Sequence, residues 1–170
     1  MSPTVRTASM LATVLVLSGC PGPGGGPTPG GGPDLVVRTF EVTGAGSVNS
    51  DNSAVLPVRA IIRNRGNAPA EEFKVSVDYT DPEGREFVVA FTAPGETDIW
   101  YPHTDGTLAA RDEVEFQGNL TFHPSLHGVT VSLRTTADSC SGDEFMPPHC
   151  RVEETNEANN RSAPLSAALP

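Results

Sequence analysis

Cysteine is scarce in this chain of 170 residues: three occur, beside four histidines. Those counts exclude a metalloprotein with several clusters, because the ligands are too few. Positive charge is also short, with ten Arg and one Lys against 21 acidic residues and a net charge of −10. That balance argues against a nucleic-acid partner, whose phosphates are held by Lys and Arg that displace counterions. Aromatics make up only 6 %, yet Val, Ile, Leu and Phe suffice for the core of one ordinary domain, which argues against a wholly disordered chain. The apolar run from Met10 to Leu17 is too short to cross a bilayer as a permanent helix. A G-x-S-x-G elbow, a C-x-x-C pair and EF-hand spacing are all absent.

What is present begins with an export address. One Arg (Arg6) precedes the apolar run, which finishes Leu17-Ser18-Gly19-Cys20, the layout of a secretory signal with a small-residue cleavage site. The ending resembles the lipobox of bacterial lipoproteins, and that resemblance implies that Cys20 is lipidated and becomes the new N-terminus after residues 1–19 are removed. Two or three acyl chains anchor durably where one gives only reversible binding. Pro21 stands where an Asp would resemble an inner-membrane retention signal, so the outer membrane is slightly favoured. The alternative is an ordinary secreted protein cut nearby, with Cys20 an accident.

Residues 20–33 form the lipidated Cys and its linker. From Pro21 to Pro33 the chain reads PGPGGGPTPGGGP, seven Gly, five Pro and one Thr. Nothing there enters a core, and Pro alternating with Gly suppresses both helix and ladder, so a disordered spacer is expected, reaching about 40 Å at roughly 3.1 Å per residue.

The third segment, 34–170, alternates apolar and polar residues in period two. Strands are predicted near 34–42, 54–64, 72–80, 85–92, 112–122, 128–137 and 161–169, and no helix. That pattern makes an all-β domain, a seven-stranded antiparallel sandwich. Phe73, Val75, Val77 and Tyr79 form one core stripe, Val114, Phe116, Leu120 and Phe122 a second, and Val129, Val131 and Leu133 a third. The intervening residues, among them Lys74, Ser76 and Asp78, are expected to face water. Asp81-Pro82-Glu83-Gly84 is a type I turn joining a hairpin. Asn64-Arg65-Gly66-Asn67 closes the strand before it, with Gly66 and Asn67 suited to positive φ.

Two stretches carry a family resemblance. They are Val58 to Ala70 with Phe73-Lys74-Val75-Ser76-Val77, and Val152-Glu153-Glu154-Thr155-Asn156-Glu157-Ala158-Asn159-Asn160. They resemble the bacterial cell-adhesion-related domain called CARDB, with its V-x-V-x-N-x-G-x-A strand and turn and its E-x-N-E-x-N-N turn. The resemblance spans about 34–169 and implies an immunoglobulin-like sandwich of exported surface proteins without a known catalytic site. An insertion, Asp138 to Arg151, departs from the family pattern and puts any inherited ligand site in doubt.

Asn156, Glu157, Asn159 and Asn160 read as a structural turn, since Asn side chains bond local backbone groups. A sharper reading adds Ca²⁺ held by oxygens of Asp138, Asp143, Glu144, Glu153, Glu154 and Glu157, against a solvated acidic loop. With Cys20 assigned to lipid, Cys140 and Cys150 remain as a pair in an oxidising setting, where a disulfide closing the inserted loop is expected; a redox or metal pair is the alternative. His103, His123, His127 and His149 are candidate zinc ligands against the reading of solvated loop histidines. Asn119 and Asn160 lie in glycosylation sequons that gain nothing in a bacterial lipoprotein.

The leading expectation is a non-enzymatic, lipid-anchored protein of the exported bacterial cell envelope, needing no cofactor. Its partners would be the membrane, through the lipid, and a protein or glycan, with Trp100, Tyr101 and the loop 140–150 as contacts. The competing expectations are a metal-binding module or metal-dependent enzyme, and a structural spacer without a specific ligand.

Overall fold

A computed structural model describes residues 31–93, 102–104, 106–139 and 152–170. It contains β1 (Leu35–Val42), β2 (Ser47–Val48), β3 (Ala54–Asn64), β4 (Val75–Thr80), β5 (Glu86–Thr92), β6 (Glu113–Phe122), β7 (Thr130–Ala137) and β8 (Leu165–Ala168). Seven of these are the strands read from the alternation, trimmed at their ends. The eighth is β2, a two-residue pairing with the start of β3 that is too short to leave a periodic signal. Two single turns of 3₁₀ helix, Pro124–Leu126 and Glu157–Asn159, complete the described elements.

All strand pairings are antiparallel, in the order β1-β3-β6-β5-β4-β7-β8. The path folds into two layers because β5 changes partners midway: Val89 and the residues before it pair with β4, while Ala90 to Thr92 pair with β6. The layers meet through Phe73 against Phe116, with ring centroids 6.4 Å apart, and Tyr79 against Phe122 at 5.4 Å, both edge to face. Leu56, Val58, Ile62, Leu120, Val131 and Leu133 fill the space between. The three predicted stripes are therefore core, with Tyr79, Val114 and Val129 at its margin.

In β1, Val37 lies opposite Ile62 but Thr39 lies opposite Ile61, so Arg38 is an extra residue, a bulge. The bulge resolves an apparent conflict in the sequence. Leu35 and Val37 are odd-numbered and Phe40 and Val42 even-numbered, and a regular strand would send one pair outward. With Arg38 absorbing one position, Leu35, Val37, Phe40 and Val42 all pack on the core, while the Arg38 guanidinium binds the Glu113 carboxylate on the outer surface.

Two expectations are corrected. Lys74 and Ser76 do not face water: Lys74 is 0 % exposed and Ser76 nearly so. Alternation in period two tells which face a side chain takes, and it is silent on what else packs there. The segment 102–104 runs beside the start of β4, with the Val75 amide donating to Pro102 O at 2.8 Å and the Thr104 amide to Phe73 O at 3.0 Å. On the other side the Ser139 amide donates to Lys74 O at 3.1 Å. Gly66 and Asn67, in turn, do not take positive φ; among the described residues Gly84, Gly106, Gly128, Asn52, Arg111 and Asp138 do. Gly66 is small for a different reason: a Cβ there would stand 2.3 Å from the Gly32 carbonyl oxygen.

The 81–84 turn forms as expected, its Gly84 at φ 82° and its amide donating to Asp81 O at 3.0 Å. Gly118 marks where β5 crosses between layers, since a Cβ at this position would lie 2.3 Å from the Thr92 carbonyl oxygen. Replacing Gly118 by Ala pushes β5 off β6. The expected loss is roughly 1–3 kcal/mol, read as a lower denaturant midpoint with an unchanged slope; an unchanged midpoint would show that β5 yields freely.

Candidate functional site

The two motifs meet at one end of the sandwich, where β1 begins and β3 and β7 end. Asn64, the last residue of β3, is 0 % exposed. Its Oδ1 accepts from the amides of Asp34 (3.2 Å) and Gly66 (3.0 Å), and its Nδ2 donates to the carbonyls of Ala68 (2.8 Å) and Leu108 (3.2 Å). Four bonds saturate a primary amide. The side chain thus fixes the start of β1, the turn after β3 and the crossing segment before β6 at once.

Beside it, Asp34 accepts from Arg65 Nε at 2.9 Å and from Asn159 Nδ2 at 2.8 Å. Glu154 accepts from the Leu35 amide through Oε2 and from Asn160 Nδ2 through Oε1 at 2.7 Å. The Glu154 amide donates to Glu157 Oε1 at 3.0 Å. Asn156 caps the short helix by accepting from the Ala158 amide at 3.1 Å, and the Asn160 carbonyl accepts from the Ala137 amide at 2.9 Å. Each residue expected in the Asn-rich turn thus ties the last strand's approach to β1 or β7, or holds the turn itself.

The end of the linker is part of the same junction. Gly32 O accepts from the Asn67 amide at 3.1 Å, and Pro33 O accepts from the Thr155 amide at 3.0 Å. The last two residues of the expected 21–33 spacer are thus fastened to both motifs.

Electrostatics at this end follow from crowding of carboxylates. Burial raises the Glu154 pKa to about 7; its bonds from Leu35 and Asn160 pull the other way, and Glu157 and Asp138 add repulsion. Asp138, at φ 49°, accepts from the Val152 amide at 3.2 Å. Of the calcium candidates, Asp138, Glu154 and Glu157 spend oxygens on backbone amides, and Glu153 is exposed. Among the described residues no three acidic, His or Cys side chains are grouped to hold a metal ion. Asp143 and Glu144 lie outside the described residues, as do Cys20, Trp100, Tyr101, Cys140, His149 and Cys150.

The histidines that are described do not converge. His103 pairs with Lys74 at the linker end. His123 and His127 flank the 124–126 turn at the opposite end, where His123 Nδ1 takes the Ser125 amide at 3.2 Å. Pro102, Ser139 and Val152, which flank the segments containing Trp100, Tyr101 and the inserted loop, sit at the linker end, hydrogen-bonded to Val75, Lys74 and Asp138.

Sequence reasoning passed over one surface feature, a groove on the β4–β5–β7 layer lined by Asp78, Glu86, Phe87, Val88, Thr136 and Arg161. Arg161 reaches both Asp78, at 3.4 Å, and Glu86. Burial raises the Asp78 pKa, opposed by Arg161. The only advance signal was the pair Phe87-Val88, two adjacent apolar residues where alternation allows one to be buried.

No family model matches the chain, and no curated protein matches it. Among solved structures it is similar to the CARDB domain of the PF1109 protein from Pyrococcus furiosus, a crystal structure in complex with di-metal ions. The two are 19 % identical, with 80 % of this chain and 87 % of that one covered and a TM-score of 0.45. It is also similar to the putative ApaA protein from Bordetella pertussis, 23 % identical, with 64 % and 80 % covered and a TM-score of 0.38. A structure of the family that the two motifs resemble is thus among those this chain is similar to.

The Glu154 geometry has a pH signature. The folded chain holds a proton on Glu154 up to about pH 7, whereas the unfolded chain releases it near the ordinary value of 4.5. Between those limits the folded state binds more protons, so this group's contribution makes stability fall as pH rises through the window. In Glu154→Gln that component disappears, and denaturant midpoints at pH 5 and pH 8 should draw together; an undiminished difference would place the pH dependence elsewhere. Asn64→Ala strands two amides and two carbonyls and should cost more than ~2 kcal/mol in the same assay.

Proposed function

We propose that this chain is a non-enzymatic envelope lipoprotein, held to a membrane by lipid on Cys20 and presenting the sandwich for contact with a protein or glycan. The observation that carries the reading is the junction at the linker end. A leader, a lipobox Cys and a Pro/Gly spacer precede a body whose first strand is clamped by both motifs, so a pull on the spacer is delivered to a rigid end of the fold. A lipid on Cys20 would pass its load to the body through that attachment.

The orientation that follows divides the body into two ends. The linker end carries the flanks of the segments with Trp100, Tyr101 and the inserted loop. The far end carries the 43–53 connection, the 81–84 turn and the 123–129 turn. Contact through Trp100 and Tyr101 would then be made close to the membrane, and contact through the far turns away from it.

Cell fractionation is the test of anchoring. The natural chain is expected in the membrane fraction with an N-terminal peptide heavier by its acyl chains, and Cys20→Ser without that added mass, reaching the soluble fraction where residues 1–19 are cut elsewhere. A natural chain without acyl mass would remove the lipid anchor from this reading. For the contact role, replacing Trp100 and Tyr101 by Ala should abolish specific cross-links in whole cells; if every cross-link survives, the body acts as a spacer.

A further inference from the structure

We propose that two copies of this chain associate through the free edge of β5, pairing Glu86–Val88 antiparallel with the same residues of a second copy. Among the described residues the large apolar side chains left most exposed are Val48, Phe87 and Val88, each 42 % exposed. Two of the three are neighbours on this strand. Phe87 is stacked on Tyr79 with centroids 5.3 Å apart, and the Arg85 guanidinium lies 5.8 Å from its ring centre. Val88 lies on the opposite face, in the groove beside Asp78 and Arg161.

The backbone gives the direction of the unmet bonds. The Asp81 amide donates to Arg85 O at 3.0 Å, which fixes the phase of the β4–β5 ladder. Bonded and non-bonded pairs alternate along an antiparallel ladder. With Tyr79 opposite Phe87 and Asp78 opposite Val88, Phe87 and Val89 exchange bonds with β4, while the N–H and C=O of Glu86 and Val88 point away from it. Ala90 and Thr92 continue the outward set and face β6. Among the described residues Glu86 and Val88 have no strand beside them on that side, and none there takes their four backbone groups.

One register answers all of them. If Phe87 lies opposite Phe87 of the second copy, Glu86 lies opposite the second copy's Val88, and the reverse, so that both residues of each copy exchange both their bonds. The two Phe87 rings then meet at a non-bonded pair, where side chains approach most closely, and the stack extends through Tyr79, Phe87 and their counterparts, with an Arg85 at each flank. Sliding one way sets Val88 opposite itself and calls on Ala90, whose groups β6 already takes. Sliding the other way sets Glu86 opposite Glu86, a like-charge pair. Slips by an odd number of residues exchange faces. In the chosen register Arg161 already neutralises each Glu86. A peptide of unrelated sequence would meet the four backbone groups, but a second copy also supplies the matching ring and has the same need.

The test uses the full mature chain in mild detergent. Sedimentation equilibrium over a concentration series should give a mass approaching twice that of the monomer. Val88→Pro removes an N–H that points away from β4, at an edge where Pro is tolerated, so it should return the mass to that of the monomer while the melting temperature stays within a few degrees. Phe87→Cys should form a disulfide-linked dimer when the purified chain is oxidised, since opposed Cα atoms at such a pair lie about 4.5 Å apart. Val88→Cys, which is offset from its counterpart, should not. A monomer at all concentrations, a dimer that survives Val88→Pro, or a Phe87→Cys chain that stays single would each overturn the proposal. If Val88→Pro fails to fold, the cysteine pair decides alone. None of these outcomes bears on where Cys20 →Ser partitions, so failure here leaves the anchoring reading intact.

Discussion

The Asn64 amide, buried and bonded on all four sides, is the constraint around which this end of the molecule is organised. No other side chain type of its size offers two donors and two acceptors in one plane, and the segments it joins are far apart in sequence: residue 34, residues 66 and 68, and residue 108. Once these are fixed, Asp34 is placed to receive Arg65 and Asn159, and Leu35 to donate to Glu154. The Asn-rich turn has its shape because it must meet a strand start that Asn64 has already positioned. An unsatisfied polar group in this junction costs more than any one of its bonds contributes, which makes the network hold together as a unit.

The outer face of the β1–β3–β6 layer works differently. Arg38 and Arg63 converge on Glu113, and Arg59 on Glu41 and Glu115. These side chains are substantially exposed, and pairs of that kind contribute ~1 kcal/mol or less each. Their value is in register: like charges opposite one another would disfavour the pairing, and Arg59 of β3 stands between Glu41 of β1 and Glu115 of β6. The polar face is kept wet and regular, and the specificity resides in the buried end.

Much of this was legible in the residues. Alternation located seven strands, because one wet face and one dry face leave a period of two. Asp81-Pro82-Glu83-Gly84 announced its turn through φ preferences that are local. The readings that failed concerned long-range neighbours. Lys74 is an ordinary outward residue by alternation, and only the segment near His103 and the chain at Ser139 make its site a closed one. Gly66 reads as a turn glycine, yet its lack of a side chain serves the passage of Gly32 and Pro33. The Arg38 bulge was written in the sequence as a change of parity between Val37 and Phe40, a signal that a strand read as one regular piece conceals. At the junction, the Asn residues were read as a turn that bonds local backbone, but their partners, Asp34 and Glu154 among them, lie up to 125 positions away and no local rule supplies them.

The route of the chain carries a mechanical consequence. β1 begins at one pole, and β8 runs toward the opposite pole, where the Gly128 amide donates to Pro170 O. A load applied between the poles would draw β1 and β8 lengthwise along β3 and β7, across ladders whose bonds lie perpendicular to the pull. Rupture then requires many bonds to yield together, as in shear, where an unzipping geometry would break them singly. A sandwich threaded in this direction resists tension at the place where a leash would transmit it.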